Sequence, residues 1–131
     1  MQLLPRVAET LEYLAQRHRL VLVTKGDHAE QSGKVRRSGL QKHFSAVEIV
    51  PEKTAQHYRE LVEQHRLAPE RTWMVGNSPK SDINPALAAG LNAAFVPHND
   101  TWILEHEELA SAPVPLKLLL LNSFAELRQH F

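Results

Sequence analysis

Four short apolar runs, alternating with stretches of helical period, constrain this chain more than any other feature. They are Leu20-Val21-Leu22-Val23, Ala46-Val47-Glu48-Ile49-Val50, Thr72-Trp73-Met74-Val75-Gly76 and Ala93-Ala94-Phe95-Val96. Each has the length of a buried strand and lacks the spacing of an amphipathic helix. Between them the period changes. Residues 5–18 predict a helix, with Pro5 at its start and Val7, Leu11, Leu14 and Ala15 on one face. Residues 28–38 predict a second, closed by Gly39, and residues 54–67 a third, with Tyr58, Leu61, Val62 and His65 on one face. Residues 82–89, closed by Gly90, predict a fourth. Residues 116–121 read as a last strand. Residues 123–131 read as a closing helix, with Ser123 as N-cap and Glu126 at the capping-box position. Continuous apolar strands, each followed by a helix, need cover on both faces, which a parallel α/β sheet provides. Trp73, inside a strand, is expected in the core.

Composition narrows the partners. Lys+Arg and Asp+Glu are both 15, so the net charge is zero and gives no bulk attraction to nucleic acid or an anionic membrane. The chain has no cysteine, which excludes a disulfide framework, a thiolate nucleophile and a cysteine zinc site. A cytoplasmic location is the matching expectation. The longest apolar stretch, residues 114–121, is broken by Pro115 and Lys117 and is too short to span a bilayer. The N-terminus lacks a basic region followed by an apolar run, so no secretory signal is expected there. With 131 residues and no internal linker or repeat, one domain is expected over residues 1–131.

In open parallel sheets, ligands bind beyond the carboxyl ends of the strands. The polar residues there are Thr24, Lys25, Gly26 and Asp27, then Glu52 and Lys53, then Asn77, Ser78 and Asp82, then His98, Asn99 and Asp100. They are expected to converge. The Thr24 hydroxyl and the amides of a turn through Lys25 and Gly26 suit a phosphate or another small anion. Lys53 at a helix start opposes the helix dipole, a placement that function explains better than stability does. Asn77 and Asp82 offer hard oxygen ligands of the kind Mg²⁺ takes. Asp27 reads as a helix N-cap, and Asp82 could also cap the helix beside it. His98 and Trp102 read as packing residues on the loop after a strand. His106-Glu107-Glu108-Leu109-Ala110 begins like a zinc-protease motif, but Ala110 stands where the second ligand would be.

Three segments carry a resemblance. They are Val21-Leu22-Val23-Thr24-Lys25-Gly26-Asp27, Lys53 ahead of a helix, and Val75-Gly76-Asn77-Ser78-Pro79-Lys80-Ser81-Asp82-Ile83 with its tail Asn84-Pro85-Ala86-Leu87-Ala88-Ala89-Gly90. In order and interval they resemble the second, third and fourth motifs of the haloacid dehalogenase-like (HAD) hydrolases. The resemblance runs from about Leu3 onward. It implies a three-layer Rossmann-like parallel sheet and a hydrolase, most members being phosphatases and some dehalogenases. It implies that Thr24 binds the transferring phosphoryl group, with Lys25 and Gly26 beside it. Lys53 would neutralise that group and the nucleophile, and Asp82 with Asn77 would hold Mg²⁺. The family's reaction passes through an aspartyl intermediate.

Two departures qualify what is expected. The family's first motif, Asp-x-Asp, carries the nucleophile and the general acid/base, and no Asp-x-Asp occurs in residues 1–131. By resemblance this is a partial HAD-like core, lacking the first strand and the cap domain, and inactive alone. Asn77 stands where many members have Asp, so Mg²⁺ binding is expected to be weak. The missing strand is central in the family. Its gap is expected to close by direct pairing of the flanking strands, by a strand-swapped dimer or other homo-oligomer, or by a separately supplied segment. The expected substrate is a small phosphorylated molecule. The rival reading is a non-enzymatic α/β binding domain or a truncated product. A receiver-type domain fits less well, because there carboxylates precede Thr and Lys, whereas here Thr24 and Lys53 precede Asp82.

Overall fold

The computed structural model describes residues 7–97 and 116–131, and these fall into two compact units. The first holds residues 7–52 and 124–131, the second residues 53–97 and 116–123. His98, Asn99, Asp100, Trp102 and residues 106–110 lie outside the described residues. The architecture is the expected α/β type, with every strand pairing parallel. Among the described residues the strands form two sheets, however, of order β1-β2 and β3-β4-β5. Among the described residues no helix is long and apolar enough to cross a membrane.

In the first unit, β1 (Val21–Lys25) pairs with β2 (Ala46–Val50) in the register Val21↔Ala46 through Lys25↔Val50. Thr24 and Lys25 are therefore strand residues, and the turn expected at Thr24 begins only at Gly26. The pairing runs on because Gly26 N–H still donates to the Val50 carbonyl at 3.1 Å. Helix α2 (His28–Ser38) has the predicted ends. Asp27 accepts from the Glu30 amide at 3.0 Å, and Gly39 closes the helix at φ 73°. Helix α1 (Val7–Ala15) packs against a short 3₁₀ helix, Phe124–Gln129. The closing segment was expected to be α-helical; it takes the tighter form over six residues. Thr10, Leu11, Leu14 and Leu127 are buried in this unit. Ala15, expected on the buried face, is exposed. It lies one helical step past Leu14, and Thr10 takes the corresponding place on the apolar side.

In the second unit, β4 (Asn92–Phe95) is the central strand and is buried throughout, which is why its residues 93–95 read as unbroken apolar sequence. It pairs with β3 (Trp73–Gly76) on one side and β5 (Leu118–Leu120) on the other. Its one polar residue, Asn92, is hydrogen-bonded at both ends of its side chain. The side-chain amide donates to the Glu70 carbonyl and accepts from the Lys117 amide, both at 2.9 Å. Ile83, Leu87, Ala93 and Phe95 form the core, with Leu118 packed against it. Trp73, expected in the core, is only half-buried. Helix α3 (Ala55–Gln64) is capped by Thr54 and ends before residue 67, because the chain leaves through Arg66 in the left-handed region at φ 54°. The helix expected over residues 82–89 is divided: a π-helical turn, Pro79–Ile83, precedes the shorter α4 (Asn84–Ala88).

Thr10 is fully buried, and its Oγ1 meets no partner among the described residues. An unpaired buried hydroxyl costs ~1–3 kcal/mol. Thr10→Val keeps the shape and removes that cost, so urea denaturation of the variant should show a gain of about 1 kcal/mol.

Candidate functional site

The site is built where β3 ends, in the second unit. Gly76 closes the strand, and the backbone passes through Asn77 and Ser78 into the π-helical turn. Ser78 starts that turn. Its Oγ accepts from the Ser81 amide at 3.0 Å, and its carbonyl accepts from Asp82 at 2.9 Å and Ile83 at 3.1 Å. The Ile83 bond spans five residues, as does the Asn84 bond to the Pro79 carbonyl, so the turn holds one residue more than an α-helical turn.

That geometry folds Asp82 back beneath the strand end. Its Oδ2 accepts from the backbone amides of Asn77 at 3.1 Å and Ser78 at 3.2 Å. These donors precede Asp82 in sequence, so the carboxylate caps the end of β3 and not the helix that follows. Gly76 is required for this. A Cβ at that position would overlap the Asp82 carboxyl group. Lys53 reaches in from the residue before the α3 cap, and its Nζ donates to Asp82 Oδ1 at 2.8 Å. The side chains are 18 % and 6 % exposed, so water screens the pair poorly. The local conflict between Lys53 and the helix dipole is thus offset by a nearby carboxylate.

Of the residues singled out in the sequence, Lys53, Asn77, Ser78 and Asp82 come together here. Asn77 is exposed and contributes its backbone amide to Asp82. Thr24, Lys25 and Gly26 belong to the first unit. The Thr24 hydroxyl donates to Gln31 Oε1 at 3.1 Å, and Lys25 makes an exposed ion pair with Glu52 at 3.3 Å. Gly26, expected to offer a free amide to an anion, has that amide bonded to Val50, while its φ of 141° suits glycine. The parts played by Gly76 and Ser78 were not foreseen. The signal was present in the short Gly-Asn-Ser-Pro stretch ahead of an acidic residue, but its meaning depends on the backbone path.

The site's fit to a divalent cation follows from its donors. Asp82 Oδ2 already takes two amide bonds, and Oδ1 takes one from Lys53, which leaves Oδ1 a single further acceptor position. Among the described residues no three His, Asp or Glu groups are close enough to enclose a metal. One carboxylate with a neutral amide neighbour fits Mg²⁺ only where water or a substrate phosphate completes the shell.

A protein-family model described as haloacid dehalogenase-like hydrolase matches residues 1–90. Solved structures agree. A haloacid dehalogenase-like family hydrolase from Xanthomonas campestris is 29% identical at a TM-score of 0.82, with 97% of this chain covered. This chain spans 52% of that protein's length. The Bacillus subtilis protein YfnB, solved bound to magnesium, is 21% identical at a TM-score of 0.78, covering 98% of this chain and 56% of its own. A HAD phosphatase from Thermococcus onnurineus is 22% identical at a TM-score of 0.78, covering 98% and 58%. No curated protein sequence matches the chain.

Removing one member of a buried ion pair strands the other. Lys53→Met should therefore cost ~3–5 kcal/mol in urea denaturation. Lys53→Met combined with Asp82→Asn leaves no buried charge and should cost less than Lys53→Met alone.

Proposed function

Because the chain belongs to the haloacid dehalogenase-like hydrolases, we propose that it carries the charge-handling part of a phosphatase site acting on a small phosphorylated molecule. The observation that carries this reading is the Lys53–Asp82 pair. A cation is held at 2.8 Å from a buried carboxylate that two backbone amides already brace. Phosphoryl transfer depends mainly on positioning and on stabilising charge around the moving group. Lys53 is fixed by Asp82 on one side, and its remaining ammonium hydrogens can face phosphoryl oxygens and an attacking carboxylate. Fixing the cation in advance means that no reorganisation is needed when charge shifts during transfer.

Asp82, with Asn77, would hold Mg²⁺, which when bound supplies positive charge against the phosphoryl oxygens. The role of Thr24, with Lys25 and Gly26, rests on motif order. In that role the Thr24 hydroxyl turns from Gln31 to a phosphoryl oxygen. The aspartyl nucleophile must come from outside residues 1–131, since no Asp-x-Asp occurs in them. By themselves these residues bind and orient; they do not turn over.

Two measurements check the reading. Residues 1–131 alone should not hydrolyse a general phosphate ester. Turnover should appear when a segment with the family's Asp-x-Asp strand is fused or added in trans, and should then fall by about 10²-fold or more in Lys53→Ala. Turnover by residues 1–131 alone that vanishes in Lys53→Ala would overturn the assignment. Calorimetry should find Mg²⁺ binding about millimolar or weaker without a phosphate ligand, because one carboxylate dehydrates this ion poorly. Micromolar binding would require a second carboxylate.

A further inference from the structure

The Ser81–Asp82 peptide lacks part of its ordinary support. In a regular helix the Ser81 carbonyl would accept from the residue four positions on. That residue is Pro85, which has no N–H. The acceptor is filled from another element: the hydroxyl of Tyr58, in α3, donates to the Ser81 carbonyl at 2.8 Å. Tyr58 is only 2 % exposed. On the other side of the same peptide, the Asp82 amide donates to the Ser78 carbonyl at 2.9 Å. Both polar groups of the peptide unit that leads into Asp82 are therefore tied down.

The start of α3 thus grips residues 81 and 82 at two points. Lys53, just before the Thr54 cap, takes the Asp82 carboxylate, and Tyr58, one turn into the helix, takes the Ser81 carbonyl. Thr54 fixes the spacing of the two. Its carbonyl accepts from the Tyr58 amide at 3.0 Å, and its side chain accepts from the His57 amide at 3.2 Å. Removing the Tyr58 hydroxyl would leave a partly buried carbonyl without its donor and free the peptide plane to rotate. Rotation about that peptide would swing the Asp82 carboxylate away from both Lys53 and the Asn77 and Ser78 amides.

We infer that Tyr58 is a positioning residue for Asp82: its hydroxyl sets the Ser81–Asp82 peptide plane and so holds the carboxylate against Lys53. Burial, and secondly the charge on Asp82, push the Tyr58 phenol well above its ordinary value, which favours the protonated form that donates to Ser81. The role rests on Asp82 being a site residue, but it is read from resonances and not from turnover. Loss of the phosphatase reading would leave it standing.

The test is Tyr58→Phe in residues 1–131, which keeps the ring and removes only the hydroxyl. The probes are the Asn77 and Ser78 amide signals and the Lys53 ¹⁵Nζ signal in NMR spectra. All three groups donate to Asp82. The expected result is a joint shift of the three toward weaker hydrogen bonding. Leu61→Ala, on the same helix, lowers stability without removing the Tyr58 hydroxyl and should leave them in place. Unmoved signals in Tyr58→Phe would overturn the inference. So would equal shifts in Leu61→Ala, which would reduce Tyr58 to general packing.

Discussion

Burying a carboxylate is the constraint on which the second unit depends. A charge with so little access to water persists only where donors surround it. Asp82 has three, one cationic and two from the backbone. Each places a demand elsewhere. The two amides require the backbone after β3 to bend over the side chain, and that bend requires a residue without Cβ at position 76. The cation requires Lys53 to precede the α3 cap, so the start of that helix is fixed relative to the turn. A lysine at a helix start and a buried aspartate are each unfavourable alone; together they offset each other.

The first unit solves a simpler problem. Its two strands are half-buried along most of their length, and the polar groups at the carboxyl end of β1 are matched by near neighbours. Asp27 holds the start of α2, while Gln31 in the next turn of the helix holds the Thr24 hydroxyl. The exposed pair of Lys25 with Glu52 adds little, since such pairs contribute at most ~1 kcal/mol. Thr24 is therefore held by one replaceable hydrogen bond, a state from which a hydroxyl can exchange partners at little cost. That contrasts with Asp82, whose donors cannot be exchanged without uncovering a charge.

Much of this arrangement was legible in the residues. The strand at Ala46–Val50 and the helix His28–Ser38 with its Asp27 and Gly39 ends were read at their true limits, because period, caps and breakers agree there. Lys53 stood out because a lysine at a helix start calls for explanation, and Asp82 because, with Asn77, it sets hard oxygen ligands beside a short loop beyond a strand end. Other features depend on tertiary context. Thr24 and Lys25 look like a turn until β2 is seen to pair with them. Thr10 is polar, yet it is buried while the apolar Ala15 is exposed. The π-helical turn has no signature in periodicity, since one extra residue in a short segment leaves the apolar spacing almost unchanged. Tyr58 fits the apolar face of its helix by spacing alone; that its hydroxyl replaces the donor missing at Pro85 follows only once α3 and the turn are both in place.

The extra residue in the Pro79–Ile83 turn sets a rule of chain length. Successive side chains on a helical path are about 100° apart. Shortening the segment between Gly76 and Ile83 by one residue would close an ordinary α-helical turn and carry the carboxylate round by about that angle. Loops usually absorb insertions and deletions, but this one acts as a gauge: any descendant sequence that keeps the buried carboxylate must keep its residue count, whatever happens to the side chains on its outer surface.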